Sequence, residues 1–96
     1  MSVKLKDTID HLQQHKTNLC CEDVKHLLVD LGFEVRDGKK GGHKIFVHQG
    51  LLSFQSASFN CGHGKNPEIK SAYIQKIIQI LKQYQKEIEE YLGEKS

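Results

Sequence analysis

The stripe Ile74, Ile77, Ile78, Leu81, Ile88 and Leu92 constrains this chain more than any other feature. Side chains three and four residues apart share one face of an α-helix, so residues 69 to 92 read as a single long helix. Unbroken, it would extend roughly 36 Å at 1.5 Å per residue. A small three-stranded sheet is too narrow to cover an apolar face of that length. The last turns, with Tyr84, Ile88, Tyr91 and Leu92, are therefore expected to project, to fold back on the first helix, or to meet a partner. The stripe is core before it is anything else, and only its end is a candidate contact surface.

The remaining segments supply what such a helix packs on. Val3, Leu5, Ile9 and Leu12 suggest a short amphipathic helix over 3–14, a candidate flap, which fades at His15-Lys16-Thr17-Asn18. Val24, Leu27, Leu28 and Leu31 fall on one helical face, and Gly32 follows as a C-terminal stop, so a core helix is expected over about 21–32. Phe33-Glu34-Val35-Arg36 alternates with the period of a strand. Asp37-Gly38-Lys39-Lys40-Gly41-Gly42 supplies turn residues, and Lys44 to His48 is β-prone, which together describe a hairpin with a basic, glycine-rich tip. Leu51 to Phe59 is a third strand whose poor alternation leaves its register open. Asn60 to Pro67 clusters glycine, asparagine and the only proline, and reads as a loop. The fold class is thus α+β. It is an α-β-β-β-α unit with two helices on one face of an antiparallel sheet, preceded by an extra N-terminal helix and closed by a long C-terminal one. A single domain over 1–96 is expected, with a core at about 19–82 and the segments 3–14 and 83–92 as additions.

At 96 residues the chain can bury one modest core. Its net charge of +2 does not announce a nucleic-acid binder, but the distribution is uneven: from Arg36 to Lys70 six cations face two anions. Three cysteines, two of them adjacent, do not suit a secreted disulfide framework, and a reducing cytoplasm fits better. The N-terminus lacks an apolar signal region, and no stretch approaches the ~18 apolar residues that a membrane span needs.

Three pieces of the chain, in order, resemble the HicA toxin family, the RNA-cleaving halves of bacterial toxin-antitoxin pairs. The first is the helix exit Leu27-Leu28-Val29-Asp30-Leu31-Gly32-Phe33-Glu34, similar to the family's Leu-x-x-x-Gly-Phe. The second is Gly41-Gly42-His43-Lys44-Ile45-Phe46-Val47-His48, similar to its Gly-Ser-His strand. The third is His63-Gly64-Lys65, followed by Glu68-Ile69-Lys70 and the Ile74-to-Leu81 helix. Residues 19 to 82 are covered. The resemblance implies a fold like the double-stranded RNA-binding domain, endoribonuclease activity on messenger RNA and a HicB-like antitoxin partner, with His43 at the position of the catalytic histidine. The family usually carries serine or threonine before that histidine, whereas this chain has Gly42.

The residues suit that chemistry. RNA brings its own nucleophile, the 2′-hydroxyl, so cleavage needs no cofactor or metal, only proton transfer and stabilisation of charge on the phosphate. Imidazole can accept or donate a proton near neutral pH. His43 is accordingly the candidate general acid or base. Lys39, Lys40, Gly41, Gly42 and Lys44 are expected to hold the scissile phosphate or let the RNA backbone approach, and Lys65 to grip a neighbouring phosphate. His48, five residues on, points to the other face of a regular strand and stays outside the catalytic set. Cys61-Gly62-His63 has thiolate and imidazole ligands but not the spacing of a zinc knuckle. Two other classes serve the same residues: a non-catalytic RNA-binding module, and a protein-interaction domain whose basic face docks an acidic partner. The chain is expected to be a monomer or a dimer.

Overall fold

The computed structural model describes all residues except 1–2, 17–18, 39–41, 62–67 and 96. The elements run α1 (Val3–Gln14), α2 (Cys21–Asp30), β1 (Glu34–Asp37), β2 (His43–Val47), β3 (Ala57–Asn60), α3 (Ser71–Gln83) and α4 (Gln85–Lys95). Among the described residues β1, β2 and β3 form one antiparallel sheet in chain order. The chain is therefore an α+β fold with a three-stranded antiparallel sheet. No helix of the described residues is long and apolar enough to cross a membrane.

Helix α2 starts and stops where local chemistry dictates. The Cys20 N–H donates to the Asp23 carboxylate at 3.2 Å, satisfying a backbone donor ahead of the first turn. At the other end Gly32 takes φ +98°, the left-handed conformation that costs glycine least. The Phe33 N–H then reaches Leu28 O and the Gly32 N–H reaches Val29 O, both at 3.0 Å, the two bonds of a Schellman stop. The turn sends Phe33 into the core, where it is 3% exposed.

Register decides which face each strand residue occupies. Val35, Phe46 and Ala57 lie opposite one another across the sheet, as do Asp37, Lys44 and Phe59. That face carries the core: Phe46 is fully buried, with the rings of Phe33, Phe54 and Phe59 at 5.5, 5.9 and 6.0 Å. The other face carries Arg36, His43, Ile45, Ser58 and Asn60, none of them fully buried. Helix α2 packs beside β1, while α1 packs on α3 and α4. The α1 side chains Leu5, Ile9 and Leu12 belong to the same buried cluster as Phe46 and Ile77, so α1 is part of the core and not a flap.

Two boundaries differ from the expectation. The third strand is confined to 57–60, and residues 51–56 are irregular around a turn at Leu52-Ser53, with Leu51 N–H on His48 O and Phe54 N–H on Leu51 O. In this stretch Leu51 is buried, Leu52 is 97% exposed and the half-buried Phe54 packs on the core, so the segment reaches the core without strand alternation. The long helix is not continuous. It begins at Ser71 and is interrupted at Tyr84, whose backbone sits at φ −103°, ψ 18°. The ladder persists through Tyr84 N–H on Ile80 O and Ile88 N–H on Tyr84 O, so the interruption is a kink. The kink folds the end back: Ile88 is fully buried in the cluster that holds α1.

His48 explains part of this return. The Gly50 N–H donates to its Nδ1 at 3.0 Å, which leaves the proton on Nε2, 2.9 Å from Leu31 O. The ring is 5% exposed and meets Phe33 and Tyr91 edge-on, each at 4.6 Å. Tyr91 in turn lies against the bare backbones of Gly32 and Gly50, where an added Cβ would come within 2.4 and 2.7 Å of its ring. His48 is thus a structural clasp joining the exit of α2 to α4.

Candidate functional site

His43 opens β2 on the sheet face opposite Phe46. Its position follows from the hairpin: Gly42 takes φ +84°, the Gly38 N–H donates to His43 O at 2.7 Å, and the Cys61 N–H donates to Gly42 O at 2.6 Å. A Cβ on Gly42 would stand 2.5 Å from Cys61 O, so this chain needs glycine where the resembled pattern has serine or threonine. Gly38 gives room on the other side, since a Cβ there would lie 2.3 Å from the His43 Cδ2.

The ring has a defined neighbour. His43 and Asn60 are direct partners across β2 and β3, and Nδ1 lies 2.8 Å from Asn60 Oδ1. The Asn60 Nδ2 donates to the Tyr73 hydroxyl at 2.8 Å, which extends the chain of contacts onto α3. An amide oxygen only accepts, so this arrangement puts the imidazole proton on Nδ1.

His43 also lines an open cleft of about 490 Å³ bounded by β2, β3 and one flank of α3. Ile45, Ala57 and Ile80 contribute apolar walls, Ser56 and Ser58 hydroxyls, Lys76 a cation, and Phe54 with Tyr84 an aromatic end. The rings of Phe54 and Tyr84 meet edge-on at 5.4 Å. The site therefore offers an imidazole, two hydroxyls and a cation around one open cleft.

Of the lysines expected around His43, only Lys44 lies among the described residues. Lys44 faces away from His43, as alternation along β2 requires, and its ammonium is paired with Asp37. That hydrogen bond, and then the Lys44 charge, hold the Asp37 carboxyl below its ordinary value. Arg36, on the same face as His43, is paired with Glu34. Lys39, Lys40, Gly41 and Lys65 lie outside the described residues. Asn60, Tyr73 and Lys76 were not singled out from the sequence. The signal that would have found Asn60 is the register of the third strand, because only pairing with β2 puts it opposite His43.

The cysteines depart from the expectation. Cys21, at the start of α2, and Cys61, just past β3, are disulfide-bonded with Cα atoms 5.7 Å apart, and Cys20 is free. The two stand 40 positions apart in the chain, so the tertiary fold brings them together. Among the described residues no three His, Cys, Asp or Glu side chains converge on a point that would hold a metal ion. No protein-family model, curated protein or solved structure matches the chain.

Proposed function

We propose that this chain is a HicA-type toxin, an endoribonuclease that cleaves messenger RNA in the cytoplasm and is neutralised by a HicB-like antitoxin. The observation that carries the reading is the His43 ring, held on one nitrogen by Asn60 and lining an open cleft beside β2, β3 and α3. The element order after α1, with the core-facing side of the sheet under the helices, supports an arrangement like the double-stranded RNA-binding domain.

In this reading the cleft takes an RNA strand and His43 accepts the proton of a ribose 2′-hydroxyl. The 2′-oxygen bonds to the adjacent phosphorus, and the bond from phosphorus to the 5′-oxygen breaks. That oxygen takes a proton from the imidazolium or from water, leaving a 2′,3′-cyclic phosphate and a 5′-hydroxyl end. Lys76, on the cleft wall, is proposed to neutralise a backbone phosphate, a role the sequence suggests for Lys44, which is paired with Asp37. Lys39, Lys40 and Lys65 are proposed as further phosphate contacts.

The test is cleavage of a single-stranded RNA by the purified chain in excess chelator. His43→Ala is expected to lower the rate by about 100-fold or more while RNA binding persists. Undiminished cleavage would remove His43 from the mechanism. The second reading, a non-catalytic RNA-binding module, draws on the single imidazole in the cleft and on the pairing of Lys44 and Arg36 with carboxylates. Binding without cleavage by the wild type would favour it.

A further inference from the structure

We infer that Asn60 is a positioning residue: it holds His43 as the Nδ1–H tautomer and so leaves the Nε2 lone pair as the base. The inference rests on the reading of His43 as a general base and deepens it by saying which nitrogen acts and what selects it. Strand pairing supplies the first part of the argument. Directly opposed residues leave the same face of a sheet with Cβ atoms about 5 Å apart, so the register of β2 on β3 brings the two side chains together. Asn60 is held in its turn by the Tyr73 hydroxyl from α3, which spans β2, β3 and a helix with two 2.8 Å contacts.

The ring is bounded on both edges. Nδ1 faces Asn60, and the Cδ2 edge lies over Gly38, where any larger residue would collide with it. Among the described residues nothing is hydrogen-bonded to Nε2. A general base works only when its lone pair is on the nitrogen that meets the substrate, and a histidine given the wrong tautomer by its neighbour loses most of its catalytic power. The opposite orientation of the Asn60 amide would reverse both contacts and move the proton to Nε2. The tautomer is therefore the quantity to measure.

The experiment records long-range proton–nitrogen spectra of the full chain near pH 8, where the imidazole tautomers are read from the nitrogen shifts, together with cleavage of a mixed-sequence RNA oligonucleotide. The wild type should show His43 mainly as Nδ1–H. Asn60→Ala should shift it toward Nε2–H and slow cleavage roughly 10- to 100-fold, the usual range when a functional histidine loses its orienting partner. Asn60→Asp, which still accepts from Nδ1–H, should restore both the tautomer and most of the rate. Tyr73→Phe leaves Asn60 in place and should have a smaller effect in the same direction. An Nε2–H wild type, an unchanged tautomer in Asn60→Ala, or full cleavage by Asn60→Ala would overturn the inference. A tautomer that responds to Asn60 in a chain that cuts no RNA upholds the positioning and overturns the ribonuclease reading instead.

Discussion

Gly42 is the residue at which the resembled pattern and the observed backbone disagree, and replacing it with serine turns that disagreement into a measurable energy. Its φ of +84° costs a residue with a Cβ about 1 kcal/mol. The added Cβ would also lie 2.5 Å from Cys61 O, a backbone atom that cannot swing aside as a side-chain end would. Relief requires moving Cys61 or returning Gly42 to negative φ, and either strains the 2.6 Å bond from Cys61 N–H to Gly42 O, worth about 1 kcal/mol. The unfolded chain loses some freedom when glycine is replaced, which offsets roughly 0.5 kcal/mol. The net loss for Gly42→Ser is therefore about 1.5 kcal/mol, or a fall in Tm of roughly 6 to 12 °C for a chain of this size.

Gly93→Ala is the internal control. Gly93 lies within α4, and a Cβ there meets nothing within 4 Å, so alanine should raise stability by about 0.5 kcal/mol through helix propensity. Thermal and urea unfolding followed by circular dichroism read both variants on one scale. A Gly42→Ser chain within about 0.5 kcal/mol of wild type would refute the steric argument, because it would mean that the turn relaxes around a side chain.

Ile88→Ala should lower stability by about 2 to 4 kcal/mol if α4 folds back as described, because Ile88 is fully buried; urea midpoints check this, and a change under 1 kcal/mol would mean that the end of the helix projects. For Asp37 the folded carboxyl is held below its unfolded value, first by its hydrogen bond to Lys44 and then by the Lys44 charge. Its contribution is therefore present above the unfolded value and is lost as pH falls through the folded one. Lys44→Met should return the Asp37 titration to the ordinary carboxylate range in a carbon-detected pH series; an unmoved midpoint would show that the pair does not form in solution.

Periodicity exposes the helices because a helix face is a local property: Val24, Leu28 and Leu31 are buried as their spacing requires. The hairpin was legible for the same reason, since its alternation and its glycines are neighbours in the chain. The third strand was not, because serine-rich residues 51–59 carry no strong alternation, and pairing with β2 selects only 57–60. The candidate site divides in the same way. His43 stood out as a histidine in a basic, glycine-rich turn, whereas its contact with Asn60 crosses two strands and 17 residues.

By itself the sequence determined where helices and turns form, which residues are apolar enough to seek a core, and that His43 follows a basic, glycine-rich turn. Only the tertiary structure decided that the last helix kinks at Tyr84 so that Ile88 and Tyr91 return to the core and the clasp, that Lys44 turns to Asp37, that Cys21 meets Cys61, and that Asn60 holds His43. The physical reason is that each of these depends on register and packing between segments distant in the chain, and such contacts leave no periodic trace in either segment alone.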